Sequence, residues 1–186
     1  MSRRALWINQ AFFHASWPAC VIGAANGMLW PGLLAVGAFA LWQLQPQRVH
    51  RLDASVVAVF MLAGLLLDSL WIQVGLFEYS SHWPIDGVTP LWLLLLWLAL
   101  GLTVNHSLAF FRRRWLLFAA LASVGSPLSY ACAERLGAVE WTGPAWLVLL
   151  AVGPIWGVIV AALFRLAAPR PAAVTILAGS TGNVGR

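Results

Sequence analysis

A chain of 186 residues with 61% hydrophobic and 9% charged residues is excluded from the ordinary soluble class, where about 45–50% and about 25% are typical, because only a lipid-facing surface tolerates so much apolar area. Its formal net charge of +5 rests on eleven arginines with no lysine, scattered through short loops and both ends rather than gathered in one stripe, which argues against nucleic acid as a partner. Cys20 and Cys132 are too few for a disulfide scaffold or a metal cage, and no Cys/His spacing suits zinc, so neither a metal nor a cofactor is expected.

Apolar runs near 5–25, 27–45, 54–77, 88–111, 115–133 and 144–167 each match the roughly 20 residues that cross a bilayer's hydrocarbon. They predict an all-α integral membrane protein, a six-helix transmembrane bundle over residues 1–167. In the first run Asn9, Gln10 and His14 interrupt the apolar core that a cleaved signal peptide needs. Gln10, His14 and Trp17 share a face there, and Pro18 frees the carbonyl of His14, leaving a polar notch. Only Ala25-Asn26-Gly27 separates the first two helices, a turn that forces a hairpin. The third run holds Asp68 within Leu65-Leu66-Leu67-Asp68-Ser69-Leu70, with Trp71 and Gly75 on the same face.

The fourth run lines up Trp97, Gly101 and Asn105 at steps of four, with His106 and Ser107 beside its end. The fifth carries Ser123, Ser126, Tyr130 and Glu134 at steps of three or four, and Pro127 frees the carbonyl of Ser123. Gly153, Gly157 and Ala161 make the sixth a small-residue ridge suited to helix packing. Residues 168–186, with two prolines and Gly179-Ser180-Thr181-Gly182-Asn183, read as a disordered cytoplasmic tail.

Threading the six runs back and forth puts Arg3, Arg4, Arg48, Arg51, Arg112–Arg114, Arg165, Arg170 and Arg186 on one side and leaves Arg135 on the other, with Glu78, Asp86, Glu134 and Glu140. The positive-inside rule therefore places both termini in the cytoplasm, with the lipid bilayer as the first partner. Trp30, Trp71, Trp83, Trp92, Trp141 and Trp146 then fall near the outer interface as an aromatic belt, whereas Trp17, Trp97 and Trp156 lie deeper and point inward.

Ser and Asn inside such helices commonly do no more than bond a neighbouring helix. An ionisable group at membrane depth costs from about 2.5 kcal/mol upward unless it faces protein or a wet cavity. Asp68 and His14 are accordingly the candidate catalytic pair, a proton donor and acceptor in one connected polar region with Asn105 and Tyr130; an ion pair of Asp68 with Arg135 is the structural alternative. Asp68→Asn is expected to abolish activity while folding survives, because it removes the titratable proton and retains size.

Asn9-Gln10-Ala11-Phe12-Phe13 with Trp17, Leu67-Asp68-Ser69-Leu70 leading to Gly75-Leu76-Phe77, Pro90-Leu91-Trp92 with Leu96-Trp97, Asn105-His106-Ser107-Leu108, and Pro127-Leu128-Ser129-Tyr130 with Arg135-Leu136-Gly137-Ala138 together resemble the DUF2878 family of uncharacterised small bacterial inner-membrane proteins, over about residues 5–160. The resemblance implies a multi-pass fold and carries over Asn9, Asp68, Trp97, Asn105, His106, Tyr130 and Arg135 as motif members, without a known role for any. Ser126 and Ala133 stand where the family pattern implies glycine, which bears on close backbone packing there. The neighbourhood of such genes with fatty-acid-modifying methyltransferases and flavin oxidases implies a part in membrane-lipid modification.

Two function classes follow. The leading one is an enzyme or accessory subunit handling a membrane lipid, with Asn9, Trp97, Asn105, His106, Tyr130 and Arg135 as binding residues around Asp68 and His14. The other is a small-solute or proton-coupled transporter, for which no internal repeat speaks. A cavity open to lipid or to one face suits the first, and access from both faces suits the second.

Overall fold

The computed structural model describes residues 2–81 and 83–167; the tail expected over 168–186 lies outside them. Six helices run in order: α1 Arg3–Ala25, α2 Trp30–Gln43, α3 Asp53–Gln73, α4 Leu91–Val104, α5 Trp115–Arg135 and α6 Ala145–Ala167. Ser2 caps α1, its Oγ accepting from the backbone N of Ala5 at 3.3 Å. The α1–α2 hairpin closes as its sequence demands. Gly27 takes φ 68°, a conformation that favours glycine, and the Asn26 side-chain amide donates to the Ile22 carbonyl at 2.8 Å.

Among the described residues three helices are long and apolar enough to cross a membrane: Asp53–Gln73, Trp115–Arg135 and Ala145–Arg165. The expectation that each run supplies the roughly 20 helical residues of a span is not met at α2 and α4, which have 14 residues each, about 21 Å of helix against about 30 Å of hydrocarbon. The run 88–111 stops being helical at Val104 because Asn105, His106 and Ser107 turn their side chains to other elements; a 3-10 helix, Ala109–Arg113, follows.

A second correction concerns the loops after α3 and α5. Strands β1 (Phe77–Tyr79) and β2 (Val139–Trp141) pair antiparallel, with Glu78 opposite Glu140. Ser80 Oγ then donates to the carbonyls of Ala24 (3.2 Å) and Ala138 (3.1 Å), tying the α1–α2 turn to the same end. Consecutive helices alternate in direction, so this acidic end, with Glu78, Glu134 and Glu140, lies opposite the end that gathers Arg48, Arg51 and Arg112–Arg114.

Packing follows size. The ridge on α6 seats against α5 as its small residues require: a Cβ on Gly153 would lie 2.6 Å from the Ser123 carbonyl oxygen, and one on Gly157 would lie 2.1 Å from Ser123 Oγ. The aromatic belt is only half as expected. Trp30, Trp83 and Trp146 are exposed, but Trp71 and Trp92 are buried in the core, where Trp92 meets Tyr79 edge-on at 5.9 Å and Trp71 meets Phe77 at 6.4 Å. Core packing claims these two rings because β1 folds inward, a contact that the helix pattern does not reveal.

Candidate functional site

Asp68, on α3, is fully buried. Its Oδ2 accepts from the Trp97 indole N–H of α4 at 2.7 Å, and its Oδ1 accepts from the Tyr130 hydroxyl of α5 at 2.5 Å and the Tyr79 hydroxyl of β1 at 3.3 Å. Three neutral donors from three elements satisfy one carboxylate, so its charge is solvated by dipoles rather than by a cation. Neither expected partner is there. Arg135 is exposed at the acidic end, Asp68 makes no salt bridge among the described residues, and His14 is exposed on α1, 3.0 Å from the Gln10 side-chain nitrogen.

Gly64, one turn before Asp68, makes this arrangement possible. A Cβ on Gly64 would fall 2.2 Å from two carbons of the Trp97 ring, so only a bare backbone lets the indole lie flat enough to reach Asp68. Gly64→Ala is expected to expel that ring, break the Trp97–Asp68 bond and cost about 1–3 kcal/mol. Thermal unfolding in detergent checks it; an unchanged melting temperature contradicts the packing.

Tyr79, Trp97 and Tyr130 form one wall of a cavity of about 460 Å³ between α1, α4, α5 and α6, within the roughly 300–1,000 Å³ of small-molecule pockets. Trp156 stacks on Trp97 at 4.5 Å and Phe77 stacks on Tyr130 at 4.8 Å, holding the rings whose polar atoms bond Asp68. Apart from those atoms, the lining is aliphatic and aromatic, with His14, Ser126 and Ser129 as its other polar members. Exposed His14, Leu121 and Gly125 edge the cavity between α1 and α5, and Trp17 Nε1 donates to Ser129 Oγ at 2.8 Å across that seam. Burial, with the Tyr130 hydroxyl and the Asp68 carboxylate beside it, pushes the Tyr79 phenol well above its ordinary pKa, so it stays a donor at physiological pH.

The remaining expected residues assemble elsewhere, near the arginine-rich end. Asn9 Nδ2 donates to Gln43 Oε1 (2.7 Å) and the Leu102 carbonyl (3.2 Å), while its Oδ1 accepts from Ser107 Oγ (2.5 Å). His106 pairs with Asp53 at 2.8 Å, both side chains buried, and the Gln43 side-chain nitrogen lies 3.0 Å from the same His106 nitrogen. Asn105 donates to Asp53 Oδ1 (2.9 Å) and accepts from Arg112 (3.1 Å); the His50 backbone N–H donates to Asp53 Oδ2 (2.8 Å). This network joins α1, α2, α3, the end of α4 and the 3-10 helix. The single polar region expected for Asp68, His14, Asn105 and Tyr130 is thus divided: Asp68 and Tyr130 meet, His14 edges their cavity, and Asn105 belongs to the second network.

Tyr79, Gln43 and Asp53 were not among the expected site residues. Asp53 begins α3 directly after a basic loop and Gln43 ends α2, which are the signals that could have marked them. Tyr79 offers only its place in a loop between apolar runs.

The family described as a protein of unknown function, DUF2878, matches residues 6–162. The chain belongs to the DUF2878 family. No curated protein and no solved structure matches it.

Proposed function

We propose that this DUF2878 protein is a multi-pass inner-membrane protein that takes an acyl chain of a membrane lipid into the cavity between α1, α4, α5 and α6, as an enzyme or accessory subunit of fatty-acid modification. The observation that carries this reading is a cavity of about 460 Å³ walled almost wholly by aliphatic and aromatic side chains. That lining suits an acyl chain better than a hydrated solute, which sets small-solute transport second.

In this reading Tyr130 is the residue that touches the chain, and Asp68 is a positioning residue behind it. The Tyr130 hydroxyl donates to Asp68 Oδ1, 2.5 Å away, which fixes the ring that the chain meets. His14 and Gln10 form a polar lip at the mouth, and the Asn9–His106–Asp53 network fixes the opposite end of the bundle rather than contacting the ligand. Residues 1–167 form the membrane domain, with both termini cytoplasmic. The short α2 and α4 cross with their flanking turns, which neighbouring helices shield.

Topology is tested by alkaline phosphatase fusions: one after Trp83 is expected to be active and those after Arg48 or Arg113 inactive, and the reverse pattern contradicts the orientation. Function is tested by the acyl composition of a deletion strain complemented with wild type, Tyr130→Phe or Gly125→Trp. A Cβ at Gly125 meets open space and Gly125 edges the cavity, so an indole there is expected to obstruct the mouth. Only wild type is expected to restore the profile. A deletion that leaves acyl composition unaltered ends the lipid-modification reading.

A further inference from the structure

The cavity runs between ends of opposite charge, which bears on what it takes; the inference rests on the acyl-chain reading above. Tyr79 and Val139 line both this cavity and a second pocket of about 390 Å³ edged by Glu78, Glu134 and Glu140. At the other end, Phe118 lines the cavity one turn after Arg114. The Arg114 guanidinium lies 4.5 Å from the Phe110 ring centre, and that of Arg165 lies 4.9 Å from the Trp115 ring centre. Phe118 packs on Phe164 at 4.5 Å, which sets the start of α5, beside Arg114, against the end of α6, which carries Arg165.

Both guanidinium groups are on exposed residues, each lies over an aromatic ring, and among the described residues neither has a carboxylate within ion-pair distance. A planar fork of N–H donors held in this way matches a phosphate. A phosphate at the far end would instead meet the three glutamates. From Arg114 to Tyr130 is sixteen residues of α5, about 24 Å at the helical rise.

We infer that the ligand is an anionic phospholipid, its phosphate held by Arg114 and Arg165 and one acyl chain running along α5 past Gly125, so that the distal part of the chain meets Tyr130. The headgroup end therefore sets which lipids enter, and the tyrosine wall sets where along the chain the protein acts.

The test uses the purified full chain in detergent with equal amounts of dioleoyl phosphatidylglycerol and dioleoyl phosphatidylcholine, bound lipid being read by native mass spectrometry. Uptake of oleyl alcohol, an uncharged chain, is measured in parallel. Wild type is expected to retain phosphatidylglycerol in severalfold excess. R114Q/R165Q is expected to lose that preference while still taking up oleyl alcohol, R114K/R165K to keep most of it, and Gly125→Trp to lose both ligands. Equal retention of the two phospholipids by wild type, or an unchanged preference in R114Q/R165Q, overturns the headgroup assignment and leaves the cavity reading standing. Undiminished uptake of both ligands by Gly125→Trp overturns the cavity reading itself, and the inference with it.

Discussion

Replacing Asp68 by alanine is expected to lower the stability of the folded protein more than any other single change at the cavity. The substitution strands the Trp97 N–H and the Tyr79 and Tyr130 hydroxyls, all aimed at one carboxylate. Each buried donor left without a partner costs about 1–3 kcal/mol. Asp68→Asn keeps one acceptor oxygen but turns an NH₂ toward one set of donors, so its loss falls between wild type and alanine. This revises the sequence-based expectation that the asparagine variant would differ only by a proton: the Trp97 N–H can only donate, so the amide oxygen must face it and the NH₂ must face the two phenols, which then give up the bonds they donate to Asp68. Thermal unfolding in detergent ranks the three proteins, and an Asp68→Asn variant as stable as wild type contradicts the hub.

The second large effect is expected at the other end. Asp53 and His106 form a buried pair, and removing one member costs about 1–3 kcal/mol because the other is left buried with one hydrogen bond fewer. Asn105 and the His50 backbone also bond Asp53, so His106→Ala is the milder of the two single changes. A double-mutant cycle of Asp53→Ala and His106→Ala is expected to show coupling of about 0.5–3 kcal/mol. Strictly additive losses contradict a direct pair.

Asp68 was legible from sequence because a carboxylate inside an apolar run has to face protein, and the same reasoning placed Trp97 and Tyr130 inward. Its partner Tyr79 was not legible: it comes from a three-residue strand whose pairing with Val139–Trp141 is a contact between segments far apart in the chain, with no periodicity to announce it. Asn105 illustrates the converse error. Its spacing from Trp97 and Gly101 fits a helical stripe, yet α4 ends before it, and a residue past the last turn no longer obeys the stripe. Register is also why His14 missed Asp68. It shares a face with Trp17, and that face borders the cavity mouth while α4 stands between it and α3. The α1–α2 hairpin and the Gly153–Gly157 ridge were legible because each depends on local backbone geometry or side-chain size alone.

The claim that the cavity holds an acyl chain is tested most directly by photo-crosslinking in vesicles of phosphatidylglycerol carrying a diazirine near the end of one acyl chain, with adducts mapped by mass spectrometry. Adducts are predicted on cavity-wall residues such as Trp17, Leu96, Ala122 and Tyr130, and these are predicted to vanish in Gly125→Trp. Adducts confined to outward residues such as Leu66, Leu128 and Val158, and unaffected by Gly125→Trp, would contradict it.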